Sequence, residues 1–329
     1  MEALLEVSNL SIDIRRDGKL LSSVKDISFS VYPGETVGIM GESGSGKSLT
    51  ALSIPALLGK DKQVSSGSIL LRSGHTAVNL LTAPEKELEQ IRGKEISMIF
   101  QEPYDSLNPL IKVGAQIEET LELHGEKDRE LIKAGARELM MNLGLNDPGK
   151  IADTYPHRLS GGMCQRVMIA LAIICRPRLL IADEPTTALD HETQNQILAI
   201  MKDINRSMGT SILLISHDPE VIRNLCGRLL VMYSGRILEE GPTEDIFAHP
   251  AHEYTRMLLH SIPGRINRSR PLVNIPGRIP SLEEGRPPGC PFHPRCGKAL
   301  PECKDNLPPA KLIGANHKTH CILEDHTDG

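Results

Sequence analysis

Hydrophobic and polar residues alternate along two segments near the start of the chain. The pattern covers residues 4–14 and 24–31, and the turn Pro33-Gly34 follows the second segment. A period of two places the apolar side chains on one face, so both segments are predicted to be half-buried strands. Similar patterns predict a strand over residues 68–72 and a hairpin over residues 229–239.

Four other short segments are apolar along almost their whole length. They cover residues 36–40, 96–100, 179–184 and 211–215. Such runs are typical of strands that are buried on both faces. The third of these segments differs from the others because it ends in two acidic residues.

Helical spacing replaces the strand patterns elsewhere. Residues 49–58 and 84–91 are predicted to be helices, and residues 112–145 are predicted to be a helical insertion. The apolar residues that recur at helical spacing in the insertion are Val113, Ile117, Leu121, Leu131, Ala134, Leu139 and Leu143. We expect these residues to form the buried faces of its helices.

The first apolar strand leads into a glycine-rich loop with the pattern G-x-x-x-x-G-K-[ST], which precedes a predicted helix. This order predicts a phosphate site, because glycines let successive N–H groups turn towards an anion and the helix N-terminus adds positive charge. Lys47 is expected to contact the β- and γ-phosphates, and the Ser48 hydroxyl to bind Mg²⁺. The predicted nucleotide-binding residues here are Gly41, Ser43, Gly44, Ser45, Gly46, Lys47, Ser48 and Leu49.

Two adjacent carboxylates end the third apolar strand. Asp183 is placed to hold Mg²⁺ through water, as in other phosphate-loop enzymes. Glu184 is placed to polarise the attacking water as a general base. The chain then turns into a predicted helix with Asp190 near its cap.

Three further positions each allow two interpretations. Gln101, at a strand end, could reach a metal ion or the attacking water, or be a hydrogen-bonded loop residue. Ser160 could cap the helix that begins near Gly162 and, with Gly161, form a second anion site, or simply cap that helix. His217 ends the fourth apolar strand, where it could contact a γ-phosphate or be structural.

Composition narrows the class of ligand. The net charge of −5 argues against nucleic acid, and 3% aromatic residues without tryptophan weaken any role in base stacking. No apolar run approaches the roughly 20 residues of a membrane span, and the N-terminus lacks a signal-peptide pattern. We therefore expect a cytosolic protein that reaches a membrane only through partners.

The order and spacing of Lys47, Gln101, the run at 159–163, Asp183-Glu184 and His217 resemble the nucleotide-binding subunit of ATP-binding cassette (ABC) transporters. The resemblance implies an α/β phosphate-loop NTPase fold with an antiparallel β subdomain and an α-helical subdomain at residues 102–160. It also implies an ATPase that uses ATP and Mg²⁺. The implied catalytic residues are Glu184, His217 and Gln101, and the implied Mg²⁺ contacts are Ser48, Gln101 and Asp183.

The same resemblance implies that two subunits share the nucleotides. Ser160, Gly161 and Gly162 would meet the ATP of the opposite subunit, and Asp190 would lie in the dimer-contact loop. Each γ-phosphate would then tie both subunits, and hydrolysis would remove the tie.

The composition changes after residue 260. Residues 262–288 are rich in Pro, Gly and Arg and predict an extended linker. Four cysteines follow at Cys290, Cys296, Cys303 and Cys321. Disulfides are disfavoured in a reducing cytosol. A [4Fe–4S] cluster, a zinc ion and unmetallated thiols all remain open, although zinc sites usually show C-x₂₋₄-C pairs. The other three cysteines are predicted to be buried small hydrophobes: Cys164, Cys175 and Cys226.

Together with the run at residues 251–255, this tail resembles the peptide and nickel importer subfamily, in which some members hold an iron–sulfur cluster at these cysteines. The expected domains are a nucleotide-binding domain over 1–260 and an oligopeptide-transporter-type extension over 261–329. The expected function is ATP hydrolysis that drives import of di- or oligopeptides. The alternative substrate is nickel or a metal chelate, and the alternative class is a soluble ABC ATPase without a transport role.

The resemblance also implies a set of partners. They are a second, paralogous ATPase subunit and two transmembrane permease subunits, which would dock on the helical insertion and the Gln101 region. An extracytoplasmic substrate-binding protein would join through the complex. The expected location is the cytoplasmic face of the inner or plasma membrane, as a peripheral subunit without a nucleic-acid partner.

Overall fold

The structure, a computed structural model, describes residues 2–73, 76–187, 189–261 and 275–323. Much of the predicted linker, residues 262–274, lies outside the described residues. The described chain clusters into two compact units. The first unit comprises Met1–Val31, Val37–Leu81 and Ile215–Gly329, and the second comprises Tyr32–Thr36 and Thr82–Leu214.

Strands and helices are numbered in chain order. The strands are β1 (Leu5–Arg16), β2 (Lys19–Val31), β3 (Thr36–Met40), β4 (Lys62–Ser73), β5 (Thr76–Asn79), β6 (Ile96–Ile99), β7 (Leu179–Asp183), β8 (Ser211–Ile215), β9 (Arg228–Tyr233), β10 (Arg236–Pro242), β11 (Lys311–Gly314) and β12 (His317–Thr319). The helices are α1 (Lys47–Ser53), α2 (Glu85–Ile91), α3 (Pro103–Ser106), α4 (Val113–Leu123), α5 (Arg129–Asn142), α6 (Pro148–Ala152), α7 (Gly161–Ile173), α8 (His191–Met208), α9 (Pro219–Leu225), α10 (Thr243–Ala248) and α11 (Glu253–His260). Three short 3₁₀ helices cover Pro156–Arg158, His293–Arg295 and Pro301–Lys304. In the described part of the chain, no helix is long and apolar enough to cross a membrane.

The first unit contains an antiparallel sheet in the order β2-β1-β4-β5. The alternating pattern of β1 buries Leu5, Val7, Leu10 and Ile12 on one face. The pairing of β1 with β4 shifts register between Ser8 and Ser11, opposite Gly67. The prediction of strands in this part of the chain is confirmed, and the strands run longer than the patterns indicate.

The first unit also contains strands in the order β11-β12-β10-β9-β3. β3 and β9 run parallel, with Gly38 opposite Leu229, whereas β9, β10, β12 and β11 pair antiparallel. The two tail strands therefore extend a sheet that begins with the strand leading into the glycine-rich loop. β3 is expected from a continuous apolar run over residues 36–40, and its bounds, Thr36–Met40, agree with that prediction.

The second unit contains the strand order β8-β7-β6, and β6 and β7 are parallel. All five residues of β7 and of β8 are buried, as the continuous apolar runs predict. Helices α3 to α6 lie between β6 and β7 in the chain, at residues 103–152, and α4 and α5 fall within the helical insertion predicted over residues 112–145.

Two helix predictions need correction. The helix predicted over residues 49–58 is α1, which ends at Ser53, because Pro55 has no backbone N–H to continue the helical hydrogen bonds and Ala56 adopts a left-handed φ of 55°. In α5 the predicted apolar face is wrong. Ile132, Ala136 and Met140 are buried, whereas Leu131 is 60% exposed, so the buried stripe is displaced by about one residue.

The register shift of β1 against β4 generates a stability prediction. Gly67 has φ +102°, and a Cβ there would lie 2.6 Å from both Leu10 Cα and Ser8 O. Gly18 also has a positive φ, +75°, but a Cβ there would meet nothing within 4 Å. We expect Gly67→Ala to lower the free energy of unfolding by about 3 kcal/mol and Gly18→Ala by about 1 kcal/mol. Thermal unfolding of both variants checks this, and equal losses would contradict the backbone clash.

Candidate nucleotide-binding site

The glycine-rich loop lies between β3 and α1 in the first unit. Gly44 and Gly46 adopt positive φ values of 81° and 100°, which non-glycine residues rarely adopt. A Cβ on Gly41 would lie 2.1 Å from the carbonyl oxygen of Met232. Glycine is therefore required at Gly41 for space and at Gly44 and Gly46 for backbone conformation.

The loop has hydrogen-bonding groups that fit a bound phosphate chain. The described residues provide no acceptor for the N–H groups of Ser43, Gly44 and Gly46, and no side chain caps α1. Lys47 is 5% exposed, and its ammonium donates to the carbonyl oxygens of Gly41 at 2.8 Å and Glu42 at 3.0 Å. An anion at this loop would therefore meet backbone donors and a cation held close by. Ser48 and Leu49 follow in the first turn of α1.

His217 lies at the same strand edge of the first unit. It follows β8, and its neighbour Ser216 donates its N–H to the carbonyl oxygen of Ile39 in β3, at 3.2 Å. The carboxyl end of β3 leads directly into the glycine-rich loop. His217 is exposed, so its side chain is accessible to a ligand at this edge.

In the second unit, the predicted metal and base residues follow neighbouring parallel strands. Ile99 of β6 pairs with Ala182 of β7, so Gln101 and Asp183 lie at one edge of the sheet. Asp183 is 5% exposed and Gln101 is exposed. The sequence order predicts this arrangement, since the carboxyl ends of parallel strands meet at one edge.

Glu184 has a conformation that the sequence does not predict. Its φ is +50°, an uncommon left-handed value for a residue with a long side chain. Its carboxylate accepts a hydrogen bond from Thr187 Oγ1 at 2.8 Å, and its carbonyl accepts one from the Thr187 N–H at 3.2 Å. Thr187 therefore holds both the backbone and the carboxylate of Glu184.

The second predicted anion site is the start of α7, which lies beside the start of α8 in the second unit. Ser160 caps α7 by accepting from the Met163 N–H at 3.3 Å, as predicted. Asp190 caps α8 by accepting from the N–H of Thr193 at 2.9 Å and from its hydroxyl at 2.7 Å. A Cβ on Gly162 would lie 3.0 Å from Thr193 Cγ2, so the two helix starts lie side by side. Hydrogen bonds from the Thr193 backbone and hydroxyl lower the pKa of Asp190, which favours its charged form.

The four cysteines of the tail line one small pocket in the first unit, together with His252 and Phe292. Cys290 Sγ lies 3.7 Å from His252 Nε2. Burial raises the pKa of Cys290 to about 12, and the neighbouring thiols Cys303, Cys321 and Cys296 add to the increase. A cation in this pocket would offset that cost, because thiolates bind metals.

The pocket is not a site for a single ion. Across the described ranges, no group of three or more His, Cys, Asp or Glu residues is arranged to hold a metal ion. Four thiolates on one tetrahedral zinc would lie roughly 3.8 Å apart, given Zn–S bonds of about 2.3 Å. The tail cysteines therefore share a pocket, but among the described residues they do not form a single-ion site.

The remaining cysteines follow the prediction with one correction. Cys164 and Cys226 are buried, and burial raises the pKa of both thiols. Cys175 is only half-buried, because it follows the last turn of α7 rather than lying within that helix.

Each unit thus carries one part of a recognisable arrangement. A glycine-rich loop with a buried lysine joins a parallel strand to a helix, and paired carboxylates end another parallel strand. These features define a phosphate-loop nucleotide-binding protein.

Comparison with known proteins identifies the family. The ABC transporter family profile matches residues 24–187, and that of the oligopeptide/dipeptide transporter C-terminal region matches residues 238–303. The chain is 43% identical over 317 residues to the oligopeptide transport ATP-binding protein OppD of Haemophilus influenzae, which covers 96% of this chain and 95% of that protein. The chain belongs to the family of ABC transporter ATP-binding proteins.

Solved structures agree with this assignment. The ATP-binding cassette MJ0796, solved as a dimer in a post-hydrolysis state bound to ADP and Pi, aligns with a TM-score of 0.65 and 27% identity, over 73% of this chain and 98% of that one. CbiO1 from Clostridium perfringens, part of the ABC transporter complex cbiONQ, aligns with a TM-score of 0.63 and 24% identity, over 76% and 92%, which shows the fold alone. At the level of the family, the predicted fold and the predicted ATPase are confirmed.

Several contacts of the candidate site were not predicted. Thr187 and Thr193 orient Glu184 and Asp190, and each lies three residues from its partner, a spacing that a search for turns and caps could have found. Tyr254 and Arg295 contact Glu42 of the glycine-rich loop from more than 200 residues away. No local pattern signals such a contact.

Proposed function

We propose that this chain is the ATP-hydrolysing subunit that energises import of di- or oligopeptides through a membrane permease. The observation that carries the proposal is 43% identity, over nearly the whole length of both chains, to an oligopeptide transport ATP-binding protein. The match of residues 238–303 to the oligopeptide/dipeptide transporter C-terminal region supports the same substrate class.

In this proposal the glycine-rich loop binds the phosphates of ATP. The N–H groups of the loop and the Lys47 ammonium would contact the β- and γ-phosphates, while Leu49 would continue the first turn of α1. Lys47 donates to two loop carbonyls, so it would exchange those contacts for phosphate oxygens. Mg²⁺, when bound, would neutralise the phosphate charge, and Ser48, Gln101 and Asp183 are its proposed ligands.

Glu184 is the proposed general base. Its carboxylate would accept a proton from the attacking water, and Thr187 would hold the acceptor oxygen in place. Gln101 would orient the water or the metal, and His217 would contact the γ-phosphate. The strained backbone of Glu184 supports a functional role, because such conformations cluster at active sites.

Two copies of the cassette would share each nucleotide. Ser160, Gly161 and Gly162 would meet the ATP of a partner subunit, and Asp190 would lie at the contact between subunits. Loss of the γ-phosphate would then weaken the contact. The partner would be a paralogous ATPase subunit.

The second unit offers a surface for the permease. Seven of its exposed large apolar residues lie between residues 100 and 141: Phe100, Tyr104, Leu110, Ile111, Leu123, Leu131 and Met141. Exposed apolar patches typically mark interaction sites. We propose that two transmembrane permease subunits contact this region on the cytoplasmic face of the membrane, with a substrate-binding protein on the other side.

The functional division of the chain follows from these assignments. The nucleotide-binding domain would comprise residues 1–260 with its helical subdomain at 102–160, and the extension would comprise residues 261–329. We also propose that Cys290, Cys296, Cys303 and Cys321 hold a [4Fe–4S] cluster. The observation that supports this proposal is that all four thiols line one pocket, because a [4Fe–4S] cluster is held by four cysteine thiolates.

The role of Glu184 is tested by Glu184→Gln. The amide keeps the shape of the side chain but cannot accept the proton, so phosphate release should fall at least about 100-fold while the ATP dissociation constant changes by less than about threefold. Phosphate release by the assembled transporter and ATP titration measure the two quantities. Lys47→Ala is the matched control, since it should lose nucleotide binding itself. Undiminished hydrolysis by Glu184→Gln would refute the role.

The substrate is tested in vesicles that contain the complete transporter. Labelled di- and oligopeptides should be transported across the vesicle membrane when ATP is supplied. A transporter that carries Glu184→Gln should show no such transport. Uptake of Ni²⁺ or a metal chelate without peptide uptake would favour the alternative substrate. ATP hydrolysis without any permease dependence would instead favour a non-transport ATPase.

The cysteine proposal is tested by metal content. Anaerobically purified protein should contain about four iron atoms per chain and absorb visible light. The Cys303→Ser variant should lose both the iron and the visible absorption. The Cys226→Ser variant, changed at a residue outside the pocket, should keep both. Stoichiometric zinc without iron, or the absence of both metals, would exclude the cluster.

A further inference from the structure

The second residue of the glycine-rich loop is tied to the tail of the chain. Glu42 accepts two hydrogen bonds from the Arg295 guanidinium, at 2.7 Å from Nη1 to Oε2 and at 3.1 Å from Nη2 to Oε1. This is a bidentate pair, the geometry that best matches a guanidinium to a carboxylate. The two residues are 253 positions apart, and both belong to the first unit.

The Arg295 side chain has little freedom to move. It is 6% exposed, whereas that of Glu42 is 28% exposed. Its Nε donates to the carbonyl oxygen of Pro276 at 2.7 Å, and Nη1 also donates to the Tyr233 hydroxyl at 3.3 Å. The guanidinium lies 5.9 Å from the centre of the Phe292 ring. Its position is therefore fixed by the tail and by β9, not by Glu42 alone.

A second contact holds the backbone of the same residue. The Glu42 N–H donates to the Tyr254 hydroxyl at 2.9 Å, and Tyr254 is fully buried. The Tyr254 ring packs against Tyr233 with centroids 4.6 Å apart and against Phe292 at 5.3 Å. The carboxylate and the N–H of Glu42 thus both depend on one aromatic cluster.

The position of Glu42 matters for Lys47, because the Lys47 ammonium donates to the Glu42 carbonyl oxygen at 3.0 Å. The charge of Glu42 matters as well. A carboxylate one residue along from the N–H donors of a phosphate site would repel a triphosphate, and a bidentate arginine both neutralises it and fixes its direction.

We propose that Arg295 is a positioning residue for the nucleotide site: it neutralises and orients Glu42, and so keeps the glycine-rich loop in a conformation that binds ATP. This inference rests on the proposed binding of ATP at the loop. It gives the tail a role in the first unit that is separate from any metal at the cysteines.

The test combines three variants of the full-length protein. Arg295→Gln leaves an unneutralised carboxylate beside the phosphates, so the dissociation constant for a non-hydrolysable ATP analogue with Mg²⁺ should rise about tenfold. Glu42→Gln removes the bidentate pair with Arg295, but it also removes the negative charge that repels the phosphates. The dissociation constant for the ATP analogue should therefore rise only about threefold. The double variant should match Glu42→Gln, which means that Glu42→Gln rescues most of the Arg295→Gln defect.

Arg278→Gln is the control variant. Arg278 lies in the same tail and pairs with Glu284, but its side chain is 74% exposed, so its loss should leave nucleotide affinity unchanged. In the assembled transporter, Arg295→Gln should raise the KM for ATP and change kcat by less than about twofold, because the defect lies in binding. A purely structural role would lower thermal stability without rescue by Glu42→Gln.

Two results would overturn the inference. One is an Arg295→Gln protein that binds nucleotide within about twofold of the wild type, and the other is a double variant whose loss equals the sum of the two single losses. If Arg295→Gln does not fold, Arg295→Lys replaces it. A single ammonium cannot hold both carboxylate oxygens, so the constant should rise about threefold, and no change would be decisive against the role. Failure of the wild type to bind nucleotide would instead refute the proposed function.

Discussion

The backbone of the glycine-rich loop packs directly on the turn between β9 and β10. A Cβ on Gly41 would lie 2.1 Å from Met232 O, and a Cβ on Gly46 would lie 2.9 Å from Met232 Cε. The Gly235 N–H donates to Ser45 O at 2.8 Å. The loop is therefore held by the hydrogen bond to its Ser45 carbonyl and by close packing against β9 that only glycine permits at Gly41 and Gly46. Its remaining N–H groups stay available to an anion. The strand that leads into the loop, β3, pairs with β9, and its carboxyl end lies beside Ser216, the residue before His217.

That arrangement connects the tail to the glycine-rich loop within the first unit. The turn that supports the loop connects β9 to β10, and β10 pairs with β12, where Glu239 lies opposite Thr319. The Glu239 carboxylate accepts from the His317 ring at 2.8 Å and from the N–H of Ala251 at 2.8 Å. These buried contacts attach the tail and the start of α11 to β10, the strand that follows the turn on which the glycine-rich loop packs. A separate, loosely attached extension would not have such contacts.

The sequence predicts most of the fold, because strand periodicity and glycine patterns are local. The bounds of β3 and the caps Ser160 and Asp190 follow from a few neighbouring residues. The errors arise where local and tertiary preferences compete. In α5, Leu131 and Ile132 are equally apolar, and only packing against neighbouring helices decides that Ile132 is buried. The pair of Glu42 and Arg295 is invisible in sequence, since nothing near either residue indicates the other.

The candidate base differs from the glycine-rich loop in how it is fixed. Glu184 holds a left-handed φ of 50° without being glycine, and its backbone and carboxylate are both hydrogen-bonded to Thr187. A strained residue persists only where its surroundings over-determine it. The carboxylate is thus oriented by its own four-residue turn, which runs from Glu184 to Thr187. Under the proposal that Glu184 is the base, a carboxylate already held in position leaves the arrival of the phosphates as the step that would control hydrolysis, as expected if two subunits share each nucleotide.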